Sequence, residues 1–222
     1  MKKAVIFDFD YTLGDSTGGI VKSAQYALEK LGEQFKNEEQ IKNTIGLSLE
    51  ETYRALTGIN DSEKEKLFKK YFIEKADEVM VLSTKLYDDT LLVLENFKQR
   101  NIKTAIVTTK LNSRIQSILK KFAASHLVDV IVGVEDVEKT KPNPEGLLLA
   151  LKKLNFEKEE VIYVGDSHVD AIAAEKAEIN FIGVTTGTTT KEDFCKYQNI
   201  CICSNIKEVY NTVINNREEK QI

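Results

Sequence analysis

Long apolar runs are missing from this sequence. No stretch approaches the roughly 18 to 20 residues that a bilayer-crossing helix requires, which excludes a membrane span. Charge of one sign is lacking too: 35 acidic residues against 31 basic ones leave a net charge of −4. So even a balance predicts neither a nucleic-acid nor a membrane-surface partner. Histidine and cysteine are scarce, two and three in 222 residues, and show no metal-ligand spacing. Cys195, Cys201 and Cys203 are an odd number, and the last two alternate with Ile200 and Ile202 in a strand-like stretch, so core packing in a reducing compartment is expected. Met1-Lys2-Lys3 opens like a signal peptide, but Asp8 and Asp10 interrupt the apolar stretch that follows and no small-residue cleavage site appears. A cytoplasmic protein is the expectation. Internal repeats and low-complexity tracts are also absent, and the polar tail 216–222 carries no evident role.

What is present is an ordinary globular composition, 42% hydrophobic and 30% charged, in a chain long enough for one domain with a large insertion. Residues 4–7 form a short apolar run ending in carboxylates, the pattern of a buried parallel strand whose carboxyl end opens onto a site. Similar runs recur at 104–107, 128–132, 161–164 and 181–184, with an edge strand at 200–203. Helix-period segments lie between them at 90–99, 111–122, 144–154 and 169–177. This alternation predicts a doubly wound, mostly parallel, Rossmann-like α/β sheet. Residues 17–83 carry helix signals only. Leu31-Gly32 and Thr57-Gly58 end helices, whereas Ser48-x-x-Glu51 and Ser62-x-x-Glu65 are capping boxes that open them, giving three or four helices. The expected division is a catalytic core of 1–16 with 84–222 and an inserted helical cap of 17–83, joined by two thin crossings. Gly18-Gly19 fits either a hinge or a helix start.

Asp8 and Asp10 stand two apart at a strand end, where both can address one pocket above the sheet. Thr108 and Thr109, followed by Lys110, end the next core strand in hydroxyls able to donate to a phosphoryl oxygen without adding charge. Lys141-Pro142-Asn143-Pro144 puts a lysine before a helix with Asn143 as its N-cap and Pro144 as its first residue. Gly165-Asp166-Ser167-His168-Val169-Asp170 repeats the strand-then-carboxylate design, with Asp166 as a second metal ligand and His168 as a surface residue. Hard oxygen donors without a histidine or cysteine cluster select magnesium over zinc.

The ordered set Asp8-x-Asp10-x-Thr12, Thr108, Lys141-Pro-x-Pro and Gly165-Asp166-Ser-x-x-Asp170 resembles the four motifs of the haloacid dehalogenase superfamily. The helical insertion resembles the cap of its phosphoglycolate phosphatase-like branch. The resemblance covers nearly the whole chain and implies a phosphatase acting on a small phosphorylated metabolite. In it Asp8 would be the nucleophile that forms an aspartyl-phosphate and Asp10 the acid and base. Thr108, Thr109 and Lys141 would hold phosphoryl oxygens, Lys141 would also neutralise Asp8, and Thr12 would brace the loop. Mg2+ would be held by Asp8, the Asp10 carbonyl and Asp166, with Asp170 in support. The branch most often has glycine where this chain has Tyr11, a ring that would narrow the mouth of the site. Inorganic pyrophosphatase, phosphosugar mutase and a non-catalytic phosphate-binding protein stay open as alternatives. Asp10 argues against dehalogenation, which needs no acid at the leaving group. Specificity would lie in the cap, with the loop 44–47 and Arg54 as the first places to look. A monomer and a small homo-oligomer are equally compatible with the sequence.

Overall fold

The computed structural model describes residues 2–218; Met1 and the last part of the polar tail, 219–222, lie outside the described residues. The earlier part of that tail belongs to the final helix, which runs to Glu218. The chain divides into two compact units, Met1–Asp15 with Leu86–Ile222, and Ser16–Lys85.

In chain order, the elements of the first unit are β1 (Ala4–Phe7), β2 (Gly14–Asp15), then, after the second unit and β3 (Lys85–Leu86) at the junction, α5 (Thr90–Gln99), β4 (Lys103–Val107), α6 (Asn112–Lys121) and β5 (Val130–Val132). They continue as α7 (Glu145–Leu154), β6 (Val161–Gly165), α8 (His168–Ala177), β7 (Asn180–Val184), α9 (Lys191–Phe194), β8 (Cys201–Cys203) and α10 (Ile206–Glu218). Six strands form one parallel sheet in the order β5-β4-β1-β6-β7-β8. β1 is central, with Ala4 opposite Lys103 of β4 on one side and Val161 of β6 on the other. The chain first builds outward through β4 and β5, then returns past β1 to add β6, β7 and β8. That reversal opens a crevice at the carboxyl ends of β1 and β6.

The strands are continuous apolar runs because helices cover both faces. On one face Ile6, Val107, Tyr163 and Phe181 pack with Leu147 and Ala150 of α7 and Ala171 and Ala174 of α8. On the other, Phe7 lies 6.1 Å from Phe97 of α5, which meets Tyr210 of α10 at 5.2 Å, ring centre to ring centre. Two expectations shift. Helix α7 starts at Glu145 with Pro144 at its N-cap, and Asn143 acts one residue earlier, its Oδ1 accepting from the Glu145 N–H at 3.0 Å. Of the cysteines only Cys203 is buried; Cys201 is half-buried and Cys195 exposed, because β8 is an edge strand and Cys195 follows a one-turn helix.

The second unit holds α1 (Thr17–Lys30), α2 (Glu38–Lys42), α3 (Leu49–Thr57) and α4 (Ser62–Ser83) around a core that includes Ala24, Leu28, Tyr53, Phe68 and Phe72. The Ser48–Glu51 capping box forms with both of its hydrogen bonds, and Gly58 closes α3 at φ 74°, a left-handed position that glycine adopts without a Cβ penalty. The start of α4 differs from expectation. Asp61, not Ser62, caps it, accepting from the Glu63 and Lys64 N–H groups with a side chain short enough to reach both. Helix α2 opens on a capping box between Asn37 and Gln40 that lacks the Ser/Thr signature. Gly18 and Gly19 both lie inside α1. A Cβ on Gly19 would stand 3.1 Å from the Met80 Cα, so the residue is small because α1 and α4 approach closely there. No helix of the described residues is long and apolar enough to cross a membrane.

Gly19→Leu is expected to force α1 away from α4 and to cost about 1–3 kcal/mol, the usual toll of overpacking, read as a lower midpoint in urea denaturation. An unchanged midpoint would refute the close-packing account.

Candidate active site

The loop after β1 is tightly wound. The Asp8 N–H donates to the Val164 carbonyl at 2.9 Å, extending the sheet by one bond, and the Leu13 and Gly14 N–H groups both return to the Phe9 carbonyl. Closing this loop puts Tyr11 at φ 55°, the left-handed region. A side chain there costs about 1–2 kcal/mol, which explains why glycine suits the position. Tyr11 offsets that strain by burial: its ring is 8% exposed, and its carbonyl accepts from the Thr186 hydroxyl. Thr12 Oγ1 is buried and makes no hydrogen bond, so the loop is braced by its backbone and not by that hydroxyl.

Around Asp8 the charges interlock. Lys141, 5% exposed, places its ammonium 2.8 Å from Asp8 Oδ1, 2.7 Å from Asp170 Oδ1 and 3.1 Å from the Tyr163 hydroxyl, one partner for each of its three protons. Tyr163 in turn donates to Asp170 Oδ1 at 2.6 Å, and the Ser167 N–H and hydroxyl both donate to Asp170 Oδ2. Four donors therefore fill the four lone-pair directions of Asp170. Burial opposes the charge of Asp170, but Lys141 and the hydrogen bonds outweigh it and hold the carboxyl below its usual range. Asp8 is pushed up to about 7 by burial, against the pull of Lys141. Asp166 stands well above the carboxylate range, through burial and then the charges of Asp170 and Asp8, and has no ion pair of its own among the described residues. Asp8, Asp166 and Asp170 each offer an oxygen within 4.8 Å of the others, close enough to surround one small cation.

Every carboxylate singled out from the sequence thus comes to one place. Asp10 is 7% exposed, Thr108 6%, and Thr108 lines a small recess together with Lys141. Thr109, the next residue, is only half-buried. His168 is exposed at the start of α8, as expected of a surface residue. In the helical unit, Arg54 is exposed with its Nε 3.6 Å from Glu65 Oε1, and Thr44 is buried with its hydroxyl bound to the Ile41 carbonyl.

Several residues of the site carry no sequence signal. Lys110, 8% exposed, ion-pairs with Asp10 Oδ2 at 2.7 Å. Tyr163 reads as one more apolar strand residue. Tyr87 has a hydroxyl held far above its usual range by burial and by the charges of Asp15 and Asp166. Gly187 leaves room for Asp166, whose Oδ2 would lie 1.9 Å from any Cβ placed there. Gly165, which was expected to permit close approach, does so toward Asp170, whose Cβ would stand 2.5 Å from an added Cβ.

Comparison with known proteins agrees with this geometry. A family model described as haloacid dehalogenase-like hydrolase matches residues 5–184. The pyrophosphatase PpaX of Listeria monocytogenes is 30% identical over 195 residues, 87% of this chain and 88% of that protein. A phosphoglycolate phosphatase of Colwellia psychrerythraea is 30% identical over 203 residues, 88% of this chain and 90% of the relative. The crystal structure of a haloacid dehalogenase-like hydrolase from Bacteroides fragilis superposes with a TM-score of 0.92 at 41% identity, covering 94% of this chain and 100% of that one. The chain belongs to the haloacid dehalogenase-like hydrolases.

Proposed function

We propose that the chain is a magnesium-dependent phosphatase in which Asp8 accepts the phosphoryl group of a small phosphate ester or of pyrophosphate, the two kinds of substrate named in its relatives. The observation that carries this reading is the buried Asp8, paired with Lys141 and adjoined by Asp166 at the crevice between β1 and β6. On this reading the unit of Met1–Asp15 and Leu86–Ile222 is the catalytic core and Ser16–Lys85 the cap.

The donor set fits a small hard cation. Among the described residues oxygen ligands alone converge, and Asp166 is a buried carboxylate with no ion-pair partner. Asp8, Asp166 and the Asp10 carbonyl would hold magnesium, which offsets the repulsion between an anionic nucleophile and an anionic phosphate. Asp170, with its lone pairs filled, acts by anchoring Lys141 and Ser167.

The chain's own steps follow from the placement of these groups. The Asp8 carboxylate attacks phosphorus as the bond to the leaving oxygen breaks, and that oxygen takes the bonding pair and the proton of Asp10. Water then attacks the phosphorus of the aspartyl-phosphate, gives its proton to Asp10, and frees phosphate and Asp8. Thr108 and Lys141 hold the phosphoryl oxygens, and the hydroxyl of the next residue, the half-buried Thr109, serves as a further donor to them. To reach a phosphoryl oxygen Lys141 redirects one of its three protons, and the partners that keep the other two hold the ammonium in place.

Wild-type protein is expected to hydrolyse phosphate esters with magnesium and to lose activity in EDTA. Asp8→Asn should be inactive and Asp10→Asn slower by about 10²–10⁴-fold; sustained turnover by Asp8→Asn would sink the nucleophile assignment. Without divalent cation, Asp166→Asn should melt above wild type, because it removes an unpaired buried charge. Magnesium should then raise the wild-type midpoint, by about 2.7 kcal/mol of stability at a hundredfold excess over Kd, and leave the variant nearly unmoved. A melting temperature lowered by the substitution contradicts this. Tyr163→Phe keeps the ring and deletes the hydroxyl shared by Lys141 and Asp170, so it should cost about 1.5–3 kcal/mol in urea unfolding; a neutral result would show that the hydroxyl is dispensable.

A further inference from the structure

The edge strand β8 carries two thiols that the chemistry of the site does not use. Side chains two apart in a strand share a face, so Cys201 and Cys203 stand side by side, with their Sγ atoms 3.6 Å apart. That face turns to α10, whose Thr212 hydroxyl lies 3.8 Å from the Cys201 sulfur and 3.9 Å from that of Cys203. Ile202, between them, packs against the core that holds Phe181 and Phe194. Strand β8 has a strand neighbour, β7, on one side only. Cys201 is half-buried there, and Cys203 is 4% exposed.

The two thiols differ in a way that suits attack by one and capture by the other. The hydrogen bond between the sulfurs holds the Cys201 thiol below its usual range and pushes that of Cys203 up, so thiolate collects on the more accessible sulfur. Strand geometry sets the two Cα atoms about 6.6 Å apart, near the upper end of what a disulfide spans. Closing that bond draws β8 in along its length, which a strand paired on one side permits. The consequence runs toward the site. The Cys203 carbonyl accepts from the Thr185 N–H at 3.0 Å, and the next residue, Thr186, donates its hydroxyl to the Tyr11 carbonyl. Gly187, one residue further, is the position pressed against Asp166. Three consecutive residues thus tie the end of β8 to the loop after β1 and to a carboxylate of the site.

We infer that Cys201 and Cys203 form a peroxide-reactive dithiol, whose closure to a disulfide loosens residues 185–187 and slows the enzyme. The Cys201 thiolate attacks one oxygen of hydrogen peroxide, so that an S–O bond forms and the O–O bond breaks. The departing hydroxide takes up the proton the thiol had released and leaves as water, with Cys201 oxidised to a sulfenic acid. The Cys203 sulfur then attacks the Cys201 sulfur; the S–S bond forms, the S–O bond breaks, and hydroxide leaves with the Cys203 proton as a second water. One peroxide and two thiols give one disulfide and two waters, and a dithiol reductant restores both thiols. The effect on turnover rests on the phosphatase reading; the dithiol and the loosened loop do not.

The test treats the full chain with hydrogen peroxide and follows intact mass, peptide-resolved hydrogen exchange and magnesium-dependent turnover of an aryl phosphate. Wild type should lose two hydrogens, yield a peptide with an internal Cys201–Cys203 bond and exchange faster over 185–187. Its turnover should fall about 10- to 100-fold, the usual cost of disturbing what supports a metal ligand, and dithiothreitol should reverse every change. Cys201→Ser, whose hydroxyl resists peroxide, should keep its turnover under the same treatment, and Cys195→Ser should respond as wild type does. Oxidation that stops at a sulfinic acid, or that joins Cys195, overturns the dithiol. A Cys201–Cys203 disulfide that leaves exchange over 185–187 or turnover unchanged overturns the switch, as does an equal loss of turnover in Cys201→Ser. A reduced wild type inactive on every phosphate with magnesium overturns the phosphatase reading instead, and the mass and exchange measurements then decide the dithiol and its loop without it.

Discussion

The ammonium of Lys141, held between Asp8 and Asp170 and capped by the Tyr163 hydroxyl, is the interaction on which the site depends. Three carboxylates converge on a crevice from which water is largely excluded, an arrangement that mutual repulsion and lost hydration both oppose. One lysine offsets part of that cost, and the unequal shifts show how: Asp170 is held low, while Asp8 and Asp166 are raised. What remains uncompensated is a demand for positive charge at Asp166. The chemistry proposed for the site uses that demand, since a cation and an anionic phosphate together satisfy what the protein alone leaves open.

The parallel sheet is what makes such crowding possible. β1 and β6 are neighbours in space but separated by more than 150 residues of chain, and each ends in a carboxylate at the same level of the sheet. Helices covering both faces anchor the strand ends rigidly, so the electrostatic strain at the crevice is borne by a large apolar core. Backbone strain is concentrated there too. Tyr11 sits at a left-handed position with its ring buried, and Gly187 allows the loop after β7 to press against Asp166. Strain of this sort persists only where the surroundings over-determine it.

Much of this was legible in the amino-acid order. Continuous apolar runs marked the four inner strands and the edge strand β5 because strands covered on both faces must be apolar throughout, and the helices between them followed the 3.6-residue period. Capping chemistry marked the ends of several helices, though α4 begins with Asp61 and α2 with Asn37, whose side chains cap as well as serine without matching the motif. Asp8, Asp10, Thr108, Lys141, Asp166 and Asp170 stood out because each follows a strand or precedes a helix. Burial was less legible. Cys201 looked like core and is half-buried: the stretch was legible as an edge strand, but alternation does not say which of its residues the edge leaves uncovered.

The sequence by itself determined the order of strands and helices, the helical insertion, and a set of acids at strand ends, because periodicity and capping are local and each is written within a few consecutive residues. Only the tertiary structure decided which charges meet. Lys110 with Asp10, Tyr163 with Asp170 and Lys141, and Gly187 against Asp166 are pairings between distant parts of the chain. Coulombic and hydrogen-bonding partners are set by distance in space and by the exclusion of water, and neither exists until the sheet has assembled.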